Sequence, residues 1–147
     1  MADEITFSIT NPEGDRELIM IVDDDALVTL LVERVLTNEG YRIITATDGQ
    51  NALAIYKKMQ DYIALVILDL KMPEMDGITL FSELQAMNPR VRVALTSGYC
   101  EQEQLEELHT RGLRGFIPKP LTQQKLILKV RAMLDAIHAD DAARKKL

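Results

Sequence analysis

Five short apolar runs recur along the chain, with room for one helix between each run and the next. They are Leu18–Val22, Arg42–Ala46, Leu65–Leu68, Val91–Leu95 and Phe116–Ile117. Most of these runs do not alternate with polar residues, which is typical of strands covered on both faces. The pattern therefore predicts five buried strands.

The segments between the runs show helical spacing. Apolar residues three and four positions apart predict the buried faces of three helices: Leu27, Leu30, Leu31, Val35 and Leu36; Leu80, Phe81, Leu84 and Met87; Leu126, Val130, Met133, Leu134 and Ile137. Another helix is predicted after Asp48–Gly49, and Gln102–Thr110 is predicted as the least apolar one. Because strands that alternate with helices need right-handed crossovers, the predicted class is α/β, a doubly wound five-stranded parallel sheet with five helices.

One domain accounts for most of the 147 residues. Residues 1–16 contain turn formers and no sustained period, so they are predicted to form a loosely attached N-terminal arm. The periodic pattern predicts a domain over residues 17–138 and a C-terminal tail over residues 139–147.

Composition and charge exclude several classes of protein. With 17 basic and 23 acidic residues the formal net charge is −6, which disfavours binding to nucleic acid or to an anionic membrane. The apolar runs are too short to cross a bilayer and the acidic start is unlike a signal peptide, so we expect no membrane insertion and a cytoplasmic location. One cysteine and two histidines provide neither a disulfide nor a thiolate–imidazole zinc site.

Polar residues follow four of the predicted strands. They are Asp23, Asp24 and Asp25; Asp69; Thr96 and Ser97; and Lys119. In a doubly wound sheet a ligand lies beyond the carboxyl ends of the strands, so these side chains are expected to meet at one edge. Carboxylates held together repel one another unless a cation lies between them, and oxygen ligands without histidine or thiolate suit Mg²⁺. A lysine and a hydroxyl nearby would complete a site for a phosphoryl group.

Each of these residues also has a purely structural interpretation. Aspartates such as Asp23, Asp24 and Asp25 are favoured helix N-caps, Asp69 could cap a turn, and Lys119 could be solvated. Independent capping roles do not predict, however, that all of them fall at the same edge of one sheet. Their convergence favours a functional site.

Three separated motifs carry a resemblance to a known family. LIMIVDDD at residues 18–25, VILDLKMPEMDG at residues 66–77 and GFIPKP at residues 115–120 occur in order on the expected elements. With them, the chain resembles the receiver (response-regulator) domains of two-component signalling, including those attached to hybrid sensor histidine kinases. The resemblance implies a flavodoxin-like sheet with strand order 2-1-3-4-5.

The resemblance also implies a role for each residue at the sheet edge. Asp69 would accept the phosphoryl group, Asp23 and Asp24 would hold Mg²⁺ together with Asp69, and the main-chain carbonyl of Lys71 would add a ligand. Asp25 would be a neighbour only. The further residues implied are Lys119, which would pair with a phosphoryl oxygen, and Phe116, which would be the aromatic switch residue.

Either of two adjacent hydroxyls could respond to the phosphoryl group. Thr96 and Ser97 point to opposite faces of a strand. The family pattern is an apolar run, then serine or threonine, then a small residue, and Ser97–Gly98 fits it. Ser97 is therefore the preferred switch hydroxyl, with Thr96 as the alternative.

The function implied is that of a receiver domain which catalyses only its own phosphorylation and dephosphorylation. A histidine kinase or a histidine phosphotransfer protein would donate the phosphoryl group, and an unidentified output partner would bind the switched surface. One alternative is a haloacid-dehalogenase-like phosphatase, but that family has a second aspartate two residues after the nucleophile, where this chain has Lys71. The other is a phosphorylation-independent interaction domain.

Overall fold

The computed structural model describes residues 6–145. Five strands alternate with five helices: β1 (Leu18–Val22), α1 (Ala26–Asn38), β2 (Arg42–Ala46), α2 (Gly49–Met59), β3 (Ile63–Asp69), α3 (Gly77–Met87), β4 (Val93–Ser97), α4 (Gln102–Thr110), β5 (Gly115–Pro118) and α5 (Gln123–Lys145). All strand pairs of the sheet are parallel, and the order is β2-β1-β3-β4-β5. The predicted class and topology are confirmed. Within the described residues no helix is long and apolar enough to cross a membrane.

The sheet separates two apolar cores. Residues such as Val22, Leu68 and Leu95 face the core that includes Leu80 and Phe81 of α3. The residues that alternate with them face a second core, which packs against α1 and α5. All five residues of β1 and all of β4 are buried, which explains why these runs lack polar alternation.

The buried face of α1 agrees only in part with the predicted one. Val32, Val35 and Leu36 are buried, whereas Leu27 is 78% exposed and Leu30 and Leu31 are each more than 40% exposed. The prediction is correct for Val35 and Leu36 in the second half of α1. It is wrong for the first half, which has more apolar residues than one helix face can hold, so the spacing there fitted two faces. The faces predicted for α3 and α5 are buried apart from Met87, which is half-buried.

Strand β4 begins two residues later than predicted. The Val91 amide donates to the Asn88 carbonyl in the turn after α3, so Val91 lies outside the strand. The strand ends at Ser97, and Asp69 is likewise the last residue of β3 rather than the first of a loop. The backbone of both residues is therefore paired with a neighbouring strand, which fixes the positions of the two side chains.

Residues 6–16, the described part of the predicted N-terminal arm, contact the domain at several points, and residues 1–5 lie outside the described residues. Phe7 and Ile9 pack against a core cluster, and Thr10 forms an isolated antiparallel bridge with Ile43 of β2. Asn11 Nδ2 also donates to the Tyr41 carbonyl at 3.0 Å. Strand β2 lies at the edge of the sheet, so its outer backbone groups need partners, and Thr10 provides them for Ile43. At the other end, α5 continues through residues 139–145 of the tail predicted over residues 139–147, and residues 146–147 lie outside the described residues.

Glu17, which directly precedes β1, is paired with His138 of α5, and a pH-dependent stability follows. Its carboxylate lies 2.7 Å from His138 Nε2 and 3.2 Å from Arg16 Nε. Burial opposes ionisation of Glu17, but the hydrogen bonds from His138 and Arg16 lower its pKa overall. A lowered folded-state pKa stabilises the fold above the unfolded-state pKa, and this contribution is lost as pH falls through the folded-state pKa.

We therefore expect Glu17→Gln to lower the free energy of unfolding near neutral pH by up to about 1 kcal/mol, since the pair is partly exposed. The difference from wild type should shrink as the pH is lowered below about 4. Urea unfolding at several pH values measures it, with the exposed Glu13→Gln as control. A deficit that stays constant at low pH would contradict the expectation.

Candidate functional site

Three carboxylates meet at the carboxyl edge of the sheet. Oxygen atoms of Asp23, Asp24 and Asp69 all lie within 4.8 Å of one another. Strands β1 and β3 are neighbours, and their register pairs Val22 with Leu68, which brings the aspartates that follow side by side. Asp23 and Asp69 are buried, whereas Asp24 is exposed.

Lys119 supplies a positive charge to this cluster. Its Nζ lies 3.3 Å from Asp23 Oδ2 and 3.5 Å from Asp69 Oδ2. The Lys119 amide donates to the Ser97 carbonyl at 2.8 Å, which ties the residue after β5 to the end of β4. The structure thus brings together four of the five charged residues that the sequence singled out at this edge.

The electrostatics of the cluster favour a cation. Burial and the neighbouring Asp23 raise the pKa of Asp69, while Lys119 and the Lys71 amide act in the opposite direction. The cluster has three carboxylates and one ammonium group, that of Lys119, which contacts two of them. Negative charge therefore remains in excess at this partly buried site. An all-oxygen donor set with residual negative charge fits a hard divalent cation such as Mg²⁺.

Asp25 has a different role. Its Oδ1 accepts hydrogen bonds from the amides of Leu27 at 2.9 Å and Val28 at 3.3 Å, so Asp25 is the N-cap of α1. The Asp25 amide in turn donates to Asp23 Oδ1 at 2.9 Å. The third aspartate of the run therefore orients Asp23 and starts the helix.

The loop after β3 shapes the surroundings of Asp69. The Lys71 amide donates to Asp69 Oδ1 at 3.3 Å, and the Gly77 amide donates to the Leu70 carbonyl at 2.8 Å. A Cβ atom at Gly77 would lie 2.5 Å from the Asp69 carbonyl oxygen, so only glycine allows α3 to begin this close to the site. The sequence motif contained Gly77, but only the structure shows this close approach.

Neither candidate hydroxyl is hydrogen-bonded to Asp69 within the described residues. Thr96 Oγ1 donates to the Leu68 carbonyl at 3.3 Å. Ser97 Oγ donates to the Tyr99 carbonyl at 2.8 Å and accepts from the Tyr99 amide at 3.2 Å. Both side chains are buried at the end of β4.

Ser97 and Phe116 lie on the same side of the sheet. Leu95 pairs with Phe116 in the β4–β5 register, and both belong to the core that packs against α3. Ser97 stands two residues after Leu95 and therefore points to the same side. Phe116 is half-buried against that core.

A groove of about 500 Å³ lies beside the site, between the loop after β3 and the start of α4. Lys71 and Tyr99 line it, and Tyr99 is 69% exposed. Lys71 follows Asp69 by two residues and Tyr99 follows Ser97 by two, so the ends of β3 and β4 place both side chains at this groove.

The sequences of several curated relatives match most of this chain. Chemotaxis protein CheY of Treponema pallidum (strain Nichols) is 31% identical over 124 residues, 84% of this chain and 86% of that protein. Sensor kinase CckA of Brucella abortus (strain 2308) is 33% identical over 126 residues, which are 86% of this chain but 13% of the kinase. Transcriptional regulatory protein CpxR of Escherichia coli (strain K12) is 32% identical, and the match covers 82% of this chain and 50% of CpxR. The chain thus spans nearly all of one relative and half or less of the others.

Solved structures show the same fold. A chain of the CheX-CheY-BeF3-Mg²⁺ complex from Borrelia burgdorferi has a TM-score of 0.77 and 32% identity, with 84% of this chain and 97% of that chain covered. The receiver domain of the hybrid histidine kinase CckA has a TM-score of 0.67 and 32% identity, with 80% of this chain and 98% of that chain covered. The family model of the response regulator receiver domain matches residues 19–131, a range that contains every residue of the acidic cluster and Lys119. The chain belongs to the response regulator receiver domain family.

Proposed function

We propose that this domain takes a phosphoryl group from a phosphohistidine donor onto Asp69 and thereby switches a partner-binding surface. The observation that carries the proposal is the position of Asp69, a buried carboxylate in contact with Lys119 and within reach of two further aspartates. Asp23 is less suited to be the acceptor, because its Oδ1 accepts a shorter backbone hydrogen bond, 2.9 Å from the Asp25 amide, than Asp69 Oδ1, which lies 3.3 Å from the Lys71 amide.

Asp23, Asp24 and Asp69 would hold Mg²⁺, with the main-chain carbonyl of Lys71 as a further ligand. Bound there, Mg²⁺ would neutralise carboxylate and phosphoryl oxygens that otherwise repel each other. The unequal burial of the cluster suits this role, because the exposed Asp24 leaves one side open to solvent.

The chain's own residues account for the rest of the transfer. An oxygen of Asp69 forms a bond to phosphorus as the bond between phosphorus and the donor imidazole nitrogen breaks. When the other ring nitrogen of the donor carries a proton, the leaving group is neutral imidazole. Lys119 then pairs with a phosphoryl oxygen. Hydrolysis later returns Asp69 and inorganic phosphate when water attacks the phosphorus.

Nothing in the described residues favours turnover as a phosphatase. The residue two positions after Asp69 is Lys71, which is exposed and has no carboxylate to act as general acid and base. The interaction-domain alternative leaves unexplained why an acidic cluster and Lys119 are kept together at a partly buried edge.

The exposed leucines of α1 offer a docking surface for the donor. Leu27, Leu30 and Leu31 lie on the first turns of the helix that Asp25 caps, next to the acidic cluster. Apolar patches of this kind mark contact sites with other proteins. We expect Leu27→Glu with Leu30→Glu to slow phosphoryl transfer from a histidine phosphotransfer protein by about fivefold, since a buried charge would oppose docking. Labelling by acetyl phosphate, which needs no docking, should be unchanged; loss of both activities would contradict a docking role.

The switch should connect Ser97 to Phe116. When a phosphoryl group is present, Ser97 Oγ would leave Tyr99 and donate to a phosphoryl oxygen, and Phe116 would turn into the vacated space on the same side of the sheet. Mg²⁺ with beryllofluoride, a phosphoryl mimic, should perturb the amide signals of Phe116 and α4. Perturbations confined to Asp23, Asp24 and Asp69 would show binding without a switch.

A further inference from the structure

A second cavity, of about 350 Å³, lies at the amino-terminal edge of the sheet. Ile63, the first residue of β3, and Arg92, which directly precedes β4, both line it. Asp69 ends β3 after seven residues, so roughly 20 Å of strand separates the two places. The cavity is therefore distinct from the acidic cluster.

The lining of this cavity is strongly cationic. Arg90, Arg92, Arg144 and Lys145 contribute positive charges, and Asp141 contributes the only carboxylate among the described lining residues. Asp141 is paired with Arg92. Within residues 6–145, no carboxylate pairs with Arg90, Arg144 or Lys145. In a chain with a net charge of −6, this is a local excess of positive charge.

A buried hydroxyl adds a donor to the same cavity. Tyr56 is 2% exposed, and its hydroxyl oxygen accepts a hydrogen bond from Asn88 Nδ2 at 2.9 Å. Among the described residues, no acceptor takes the proton of the Tyr56 hydroxyl. Burial raises the pKa of Tyr56, so the phenol keeps that proton. The hydroxyl proton is therefore available to an oxygen atom of an anion bound in the cavity that Tyr56 lines.

We propose that this cavity binds a small phosphate-bearing anion with two or more negative charges. Guanidinium groups match phosphate oxygens in bidentate geometry, and Arg90 and Arg144 are free to do so. The cavity volume is sufficient for a ligand the size of a sugar phosphate or a mononucleotide. This binding is independent of the proposed phosphorylation of Asp69.

Calorimetric titration with inorganic pyrophosphate in Mg²⁺-free buffer tests the proposal. Wild type should bind one equivalent saturably, with amide perturbations at Asn88, Arg90 and Arg92. Arg90→Ala with Arg144→Ala should weaken binding by at least about tenfold, because two charge-assisted contacts are lost. Tyr56→Phe should weaken it several-fold without removing any charge.

The matched control is Arg34→Ala with Lys129→Ala, which removes the same charge from exposed positions outside the cavity. Equal losses in the two double variants would show general charge attraction and overturn the proposal. Perturbations centred on Asp23 and Asp69 would also overturn it. Co-sedimentation with vesicles that contain phosphatidic acid, without binding of free pyrophosphate, would overturn the assignment to a small soluble ligand.

Discussion

Asp69→Asn is expected to abolish labelling by acetyl phosphate in the presence of Mg²⁺ while the fold stays intact. The amide nitrogen and oxygen occupy the same space as the carboxylate but provide no anionic nucleophile, so a loss of at least about 100-fold is expected. Intact mass measurement counts the phosphoryl groups, and circular dichroism checks the fold.

Asp61→Asn is the matched control, because Asp61 is exposed in the turn after α2, outside the cluster. It should be labelled as well as wild type. Undiminished labelling of Asp69→Asn would place the acceptor elsewhere. Asp24→Ala should lower Mg²⁺ affinity instead, and wild-type affinity in that variant would move the metal away from the cluster.

The same Asn variant should be more stable than wild type in Mg²⁺-free buffer near neutral pH. The pKa of Asp69 is raised in the folded protein by burial and by Asp23, so the ionised carboxylate destabilises the fold above its folded-state pKa. Each unit of that rise corresponds to about 1.4 kcal/mol. The advantage of Asp69→Asn should shrink as the pH falls through the folded-state pKa of Asp69, when wild type becomes neutral. Urea unfolding at several pH values measures this.

The sequence predicted the sheet and its acidic edge because both follow from rules that act over the whole domain. Right-handed crossovers bring the ends of β1 and β3 to one edge, so Asp23 and Asp69 had to be close if the strands were identified correctly. Lys119 joins them for the same reason, through the position of β5 beside β4.

Which of several neighbouring apolar residues is buried was not predictable in the same way. Leu30 and Val35 fitted one helical spacing, yet tertiary packing buried Val35 and left Leu30 exposed. The arm was predicted to be loose because a single bridge, Thr10 to Ile43, leaves no periodic signal in the sequence. The cationic cavity is built from chain segments far apart in sequence, so no motif indicated it.

The phosphorylated form is expected to be long-lived, because Lys71 and Tyr99 flank the route by which water reaches the phosphorus. Hydrolysis needs a water in line with the bond that breaks. Both side chains line the groove beside Asp69, and the Tyr99 ring is bulky enough to obstruct that water. The Lys71 side chain has no oxygen atom with which to orient the attacking water.

Lys71→Asn combined with Tyr99→Glu should therefore speed the loss of the acyl phosphate by about tenfold or more, since water gains both access and a group that orients it. Release of inorganic phosphate from labelled protein measures the rate, and Mg²⁺ affinity should change little. Tyr62→Glu is a matched control, because Tyr62 and Tyr99 are each 69% exposed and Tyr62 lies outside the groove. Each single variant should give an intermediate rate. Equal rates for wild type and the double variant would show that another feature sets the lifetime, and the obstruction by Tyr99 would then be wrong.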